Sequence, residues 1–194
     1  KTIEVSGNIS WADYDNDGWT DFMVAGNDKT AIFKNYGDGI FIEINSIFPA
    51  LKQASIAWGD YDNDGDLDLA ISGKLSDTIA FTSIYRNDGN NIFTKIETSI
   101  IPVFAGDIVW ADINNDGYLD LLVIGRTKDE FRDIGVYPNL SIIYLNDKTG
   151  GFFDAIAELP GVSIADIFCV PDFNNTVAVV DYDNDEDLDI FLSG

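Results

Sequence analysis

The sequence predicts an all-β protein made of repeated four-stranded antiparallel sheets, and three observations carry that expectation. First, the acidic loop Asp60-Tyr61-Asp62-Asn63-Asp64-Gly65-Asp66-Leu67-Asp68 recurs at Asp13–Asp21, Asp112–Asp120 and Asp181–Asp189. Second, each copy runs into a short apolar segment closed by glycine, such as Leu69-Ala70-Ile71-Ser72-Gly73. In that segment Leu67, Leu69 and Ile71 share one face, and a period of two means strand rather than helix. Third, an aromatic–Asn–aromatic pattern recurs as Phe33, Asn35, Phe41, then Tyr85, Asn87, Phe93, then Tyr144, Asn146, Phe152. Repetition at this spacing marks a repeat architecture.

Taken in order, Lys1–Ser6 resembles the run Phe93–Ser99 and is expected to be the closing strand of a preceding unit. The first full unit spans residues 7–50, with strands expected over Asn8–Ala12, Trp19–Ala25, Thr30–Asn35 and Ile40–Asn45. Asn27-Asp28-Lys29 and Tyr36-Gly37-Asp38-Gly39 supply the turns, and Pro49 ends the unit. Residues 51–102 copy this plan, and residues 103–160 copy it with a polar insertion at Arg126–Asn139. Residues 161–194 hold a long connection, Gly161–Asn175, and then two strands of a fourth unit. The two aromatic residues of each hairpin are expected to stack across it, with the Asn holding the turn. Trp11, Trp58 and Trp110 each stand two residues before the first loop Asp, where the fourth copy has Val179, and are expected in the core.

The formal charge is −23, from 34 acidic and 11 basic residues. Fifteen of the acids sit in the loops at positions 1, 3, 5 and 9, so the acidity is largely local to them. A body this acidic disfavours nucleic acid, since phosphate binding needs basic patches. The apolar fraction of 46% argues for a packed core rather than disorder. No stretch is long and apolar enough to span a bilayer, so direct membrane insertion is not expected. The single cysteine, Cys169, permits no internal disulfide, and the absence of histidine removes Ser-His-Asp chemistry and His-based zinc sites.

Carboxylates at loop positions 1, 3, 5 and 9, with glycine at 6, form a ring of hard oxygen donors on a sharp turn, which suits Ca²⁺. An EF-hand is a poor reading, because its bidentate Glu would fall on Val24, Ile71, Val123 or Leu192. Acids outside the loops that could serve glycoside hydrolysis are Asp107, Asp129, Glu130, Asp133, Asp166 and Asp172, and nothing in their context singles one out.

With these loops between strands and the Asn-x-Gly hairpin before a Phe, the chain resembles the FG-GAP-like (VCBS) repeats, which are similar to the calcium-binding blades of integrin α-type β-propellers. The resemblance implies a β-propeller of radially arranged blades, a segment completed by further chain or by neighbouring copies. It implies Ca²⁺, up to four ions, held by Asp13, Asp15, Asp17 and Asp21; by Asp60, Asp62, Asp64 and Asp68; by Asp112, Asn114, Asp116 and Asp120; and by Asp181, Asp183, Asp185 and Asp189. Trp19, Asp66, Tyr118 and Asp187 would lend backbone carbonyls. Glu186 replaces the loop glycine, so the fourth site is expected to be the weakest. The implied role is a non-catalytic, calcium-stabilised extracellular or cell-surface binding or adhesion module for a protein or glycan. Two other classes stand beside it: a subunit that assembles into a filament or layer by strand pairing, and a carbohydrate-active enzyme or its accessory domain.

Overall fold

The computed structural model describes residues 7–26, 29–44, 47–127, 139–155, 176–184 and 188–193. The regular elements among them are strands. β1 (Asn8–Ala12), β2 (Asp21–Ala25), β3 (Thr30–Asn35) and β4 (Phe41–Glu43) form the first sheet. β5 (Lys52–Gly59), β6 (Asp68–Ser76), β7 (Ile79–Asn87) and β8 (Phe93–Ile96) form the second, and β9 (Phe104–Ala111), β10 (Asp120–Arg126), β11 (Asn139–Asn146) and β12 (Phe152–Asp154) the third. β13 (Thr176–Val180) pairs with β14 (Asp189–Ser193). Pairing is antiparallel between consecutive strands throughout. The first strand of each sheet packs on the first strand of the next: β1 on β5, β5 on β9, and β9 on β13. That arrangement is a β-propeller of four-stranded blades whose first strands lie innermost.

The third sheet lies between two others and buries both faces, so β10 is buried along its whole length; β2 of the first sheet is buried along its whole length too. Tyr14, Met23 and Ile32 of the first blade meet Leu69, Ile71 and Tyr85 of the second. Tyr61, Ala70 and Ile84 of the second meet Leu121, Val123 and Tyr144 of the third. Leu122, Ile124 and Ile143 then face Val177, Val179 and Ile190. Alternate residues of a strand thus face the blade before and the blade after, the period-two pattern applied to two apolar neighbours.

The second strand begins at Asp21 rather than Trp19, because the Trp19 N–H turns back to donate to Asp17 Oδ1 at 2.9 Å. The fourth begins at Phe41 rather than Ile40, whose N–H donates to Gly37 O and closes the turn. The hairpin Asn holds its turn as expected, its Oδ1 accepting from Gly37, Gly89 or Lys148 N–H. The two hairpin rings do not stack directly; a third ring joins them. Phe22 contacts Phe33 and Phe41 in the first blade, and Phe48 contacts Tyr85 and Phe93 in the second. The reason is the register, which sets Phe41 opposite Asn35 and Phe93 opposite Asn87.

Blades are joined by a recurring lock. Tyr14 stacks on Trp58 of the next blade with ring centroids 6.0 Å apart, and Tyr61 on Trp110 at 5.8 Å. Gly59 carries no Cβ because one would meet Trp110 at 2.7 Å. Asn87 Nδ2 donates across to Tyr14 O at 2.8 Å, and Asn146 Nδ2 to Tyr61 O at 2.8 Å. Trp11 departs from the expected core position and is 59% exposed. The expected strand Lys1–Ser6, the connection Gly161–Asn175 and residues 128–138 of the insertion lie outside the described residues.

Candidate metal centres

The acidic loops sit between the first and second strands of each blade, and their own hydrogen bonds define their shape. The first-position carboxylate accepts two backbone N–H groups: Asp13 from Asp17 and Gly18, Asp60 from Asp64 and Gly65, Asp112 from Asp116 and Gly117, all within 3.1 Å. The fifth carboxylate accepts the N–H of the seventh residue, Trp19, Asp66 or Tyr118. Gly18, Gly65 and Gly117 hold φ of 89°, 95° and 87° with no atom within 4 Å of a would-be Cβ, so conformation rather than space demands glycine. Asn16, Asn63, Asn115 and Asn184 also take positive φ, which Asn tolerates better than most residues.

The ninth carboxylate is the anchor. Asp21, Asp68 and Asp120 are fully buried. In each, one oxygen accepts from the second loop residue (Tyr14, Tyr61, Ile113) and the other from the hairpin Asn N–H (Asn35, Asn87, Asn146). Asp189 accepts from Tyr182 N–H in the same way. Burial pushes Asp68 up to about 7, with the charges of Asp62 and Asp64 adding and the Asn87 and Tyr61 N–H groups opposing. Burial also raises Asp21 and Asp120.

Carboxylate oxygens of Asp13, Asp15 and Asp17 converge within 4.8 Å of one another, as do those of Asp60, Asp62 and Asp68, and those of Asp181, Asp183 and Asp189. Asp64 is outside the second group and accepts Asp66 N–H, the same bond that Asp17 accepts from Trp19 N–H. In the third loop Asn114 turns onto Asp116, donating from Nδ2 and accepting at Oδ1. Asp185 and Asp187 lie outside the described residues.

Two atoms test whether a metal ion fits. Asp15 Oδ1 and Asp62 Oδ1, both at the third loop position, are buried without a hydrogen-bond partner. A buried, unpartnered carboxylate oxygen is costly unless a cation meets it. The donor set is oxygen alone, the preference of a hard cation such as Ca²⁺. The residues present therefore fit that ion.

The sequence reading missed three contributors. Lys34 reaches from β3 into the first loop, pairing with Asp15 and, at 3.0 Å, with Asp17. Lys148 pairs with Asp116 of the third loop at 3.2 Å. The Tyr at the second loop position couples blades, and its recurrence at 14, 61 and 182 was the available signal. Of the acids considered for hydrolysis, only Asp107 is described. It accepts from Ser55 Oγ at 2.6 Å and from Val177 N–H at 3.3 Å, cross-linking three blades.

Blades stacked on their inner strands, each with an acidic loop at the same corner, define a repeat propeller. The FG-GAP-like repeat model matches residues 13–71 and 76–123, over half of the chain, and the chain belongs to that family. No curated protein matches it. Among solved structures it is similar to a lectin of Agrocybe aegerita, reported for its specific recognition of non-reducing terminal N-acetylglucosamine. The identity is 17% and the TM-score 0.51, over 95% of this chain and 46% of that one. The chain thus spans about half the length of that lectin, and the likeness is one of fold. No helix among the described residues is long and apolar enough to cross a membrane.

Proposed function

We propose that this chain is a calcium-stabilised, non-catalytic binding module of the extracellular space or cell surface that engages a glycan or a protein. The observation that carries the calcium reading is the pair of buried, unpartnered oxygens of Asp15 and Asp62, set at the same corner of successive blades. When bound, Ca²⁺ would neutralise the converging carboxylates and stiffen the turn. The chain's own residues do the rest. The first, third, fifth and ninth side chains of each loop, with the carbonyls of Trp19, Asp66, Tyr118 and Asp187, form the ligand set, and the backbone N–H groups orient the carboxylates beforehand. Outside the cell, where free calcium is near millimolar, sites in the affinity range of extracellular calcium modules would be filled. Family membership and the likeness to a lectin fold support binding rather than turnover, and a glycan is the ligand class favoured.

The test is a thermal melt of the metal-stripped protein titrated with calcium, alongside Asp15→Asn and Asp62→Asn, followed by a glycan array on the calcium-loaded protein. Saturable stabilisation by calcium, reduced in both variants, supports the reading. An unchanged melt on adding calcium overturns the metal assignment. Turnover of an arrayed glycan overturns the non-catalytic one.

A further inference from the structure

The fourth residue of each acidic loop is Asn, at positions 16, 63, 115 and 184. All four hold φ between 54° and 60°. Conformation alone would be met by glycine, as it is at Gly18 and Gly65. What Asn adds is an amide, and in the first two loops that amide leaves its own blade. Asn16 Nδ2 donates to Gly65 O and to Asp66 Oδ1, both at 3.1 Å, and Asn63 Nδ2 donates to Gly117 O at 2.9 Å.

The peptide reached is the same in both cases, the one joining the sixth and seventh residues of the next loop. Its N–H is already held within that loop: Asp66 N–H donates to Asp64 Oδ1 at 2.9 Å, and Tyr118 N–H to Asp116 Oδ1 at 3.0 Å. The preceding blade thus grips the carbonyl of this peptide while the fifth loop carboxylate grips its N–H. The peptide leads into the seventh residue, whose carbonyl belongs to the proposed ligand set. Asn16 itself stands between Asp15 and Asp17, and Asn63 between Asp62 and Asp64, so each sits between two ligand positions of its own loop.

A second connection runs at the root of the loops. Asp21 Oδ2 accepts Tyr14 N–H, Tyr14 O accepts the Asn87 amide, and Asn87 N–H donates to Asp68 Oδ1. Asp68 Oδ2 accepts Tyr61 N–H, Tyr61 O accepts the Asn146 amide, and Asn146 N–H donates to Asp120 Oδ1. The three buried anchor carboxylates are therefore members of one hydrogen-bonded chain that crosses two blade junctions.

We propose that Asn16 and Asn63 are positioning residues that couple the metal loops of neighbouring blades, so that an ion in one loop raises the affinity of the next. The proposal rests on the calcium reading above. An ion that fixes the third and fifth side chains of a loop fixes the Asn between them, and its amide then holds the turn of the next loop. The second ion meets a loop already ordered, and less conformational freedom is lost on binding it. Repulsion between two ions acts in the opposite sense, and salt at about 0.15 M, where the Debye length is about 8 Å, weakens it. The expected coupling is about fivefold or more in affinity, and by linkage it is the same in both directions.

Calorimetric titration of calcium into the metal-stripped full chain, at that salt concentration, tests this with Asn16→Gly, Asp62→Ala and the double variant. Asn16→Gly removes no calcium ligand, and glycine accepts a φ of 56°, so the variant should fold, which circular dichroism checks. With the second loop intact, Asn16→Gly should weaken calcium binding by about fivefold or more. In the Asp62→Ala background, where the second loop has lost a ligand, the same change should alter the remaining affinity by less than about twofold. Asn63→Gly should likewise weaken binding in the otherwise unaltered chain. Asn16→Gly and Asn63→Gly that bind calcium as the wild type does, or an Asn16→Gly loss that persists undiminished in the Asp62→Ala background, would overturn the coupling and leave the calcium reading standing. A wild type that takes up no calcium would overturn both.

Discussion

Tyr61 lies flat against Trp110 of the following blade, with the ring planes 9° from parallel and the centroids 5.8 Å apart. Tyr61 is 2% exposed, and burial together with the Asp62 charge pushes its hydroxyl up to about 12, so the ring stays neutral. The second residue of an acidic loop thus fastens two blades, and the loop's conformation and the blade interface are one structure.

Tyr61→Ala is expected to cost about 3 kcal/mol or more, the range for emptying a buried aromatic site. A double-mutant cycle with Trp110→Ala should return a coupling of about 1 kcal/mol. Trp11→Ala, with no tyrosine above it, should cost about 1 kcal/mol or less. Denaturant unfolding of the monomeric protein checks all three. Equal losses at Trp11 and Trp110 would contradict the role given to the stack.

Asn146 spans the same junction through its amide, which reaches Tyr61 O and Leu119 O. Asn146→Leu leaves these carbonyls and the Lys148 N–H without partners, at a cost of about 3 kcal/mol. Among the described residues the Asn35 side chain bonds only its own loop and Gly37, so Asn35→Leu should cost about half as much. Matching losses at the two positions would show that the turn, rather than the cross-blade bond, carries the stabilisation.

Most of this was legible in the sequence as spacing. Loop positions 1, 3, 5, 6 and 9, the period-two strands and the Asn–x–Gly hairpins each report a local backbone demand, and local demands leave residue patterns. Partnerships between blades leave weaker ones. Trp11 matches Trp58 and Trp110 in every local respect, and only the neighbour that covers it differs. Lys34 was invisible for a related reason: Arg86 holds the equivalent place before the hairpin Asn, yet turns outward to Asp88 at 2.8 Å. Asp64 and Asn114 fit the ligand pattern by position, and their bonds to Asp66 N–H and to Asp116 are contacts that position alone does not reveal.

The buried anchor acids set a pH response. Asp68 sits at about 7, well above the usual carboxylate range near 4, and Asp21, Asp120 and Asp62 shift the same way. A folded carboxyl raised above its unfolded value contributes stability fully present below the unfolded value and lost as pH rises through the folded one. The metal-stripped protein should therefore melt higher on acidification from about pH 7.5 to about 5.5. In saturating calcium the trend should flatten or reverse, because protons and the ion compete for the same oxygens. A metal-free melting temperature that falls over this window would count against the burial of these acids as the controlling effect.

Lys34 gives the first loop a different response from the second. Its ammonium lies between Asp15 and Asp17, with all three side chains at most about a third exposed, and its hydrogen bond holds the Asp17 carboxyl low. An ion at that loop must displace the ammonium from Asp15, whereas the second loop has no cation bonded within it, since Arg86 is engaged with Asp88. The first loop should bind calcium more weakly than the second. Lys34→Met should strengthen binding at the first loop by about two- to fivefold, the worth of a partly screened ion pair. It should also lower the melting temperature of the metal-stripped protein, because Asp15 and Asp17 are then left facing each other without a counter-charge. Calorimetric titration with calcium, comparing Lys34→Met with Arg86→Met, separates the two loops. The Arg86 change should leave affinity within about twofold, since that guanidinium bonds outside the loop. Equal responses to the two substitutions would mean that Lys34 acts only through general charge, not by occupying the ion's place.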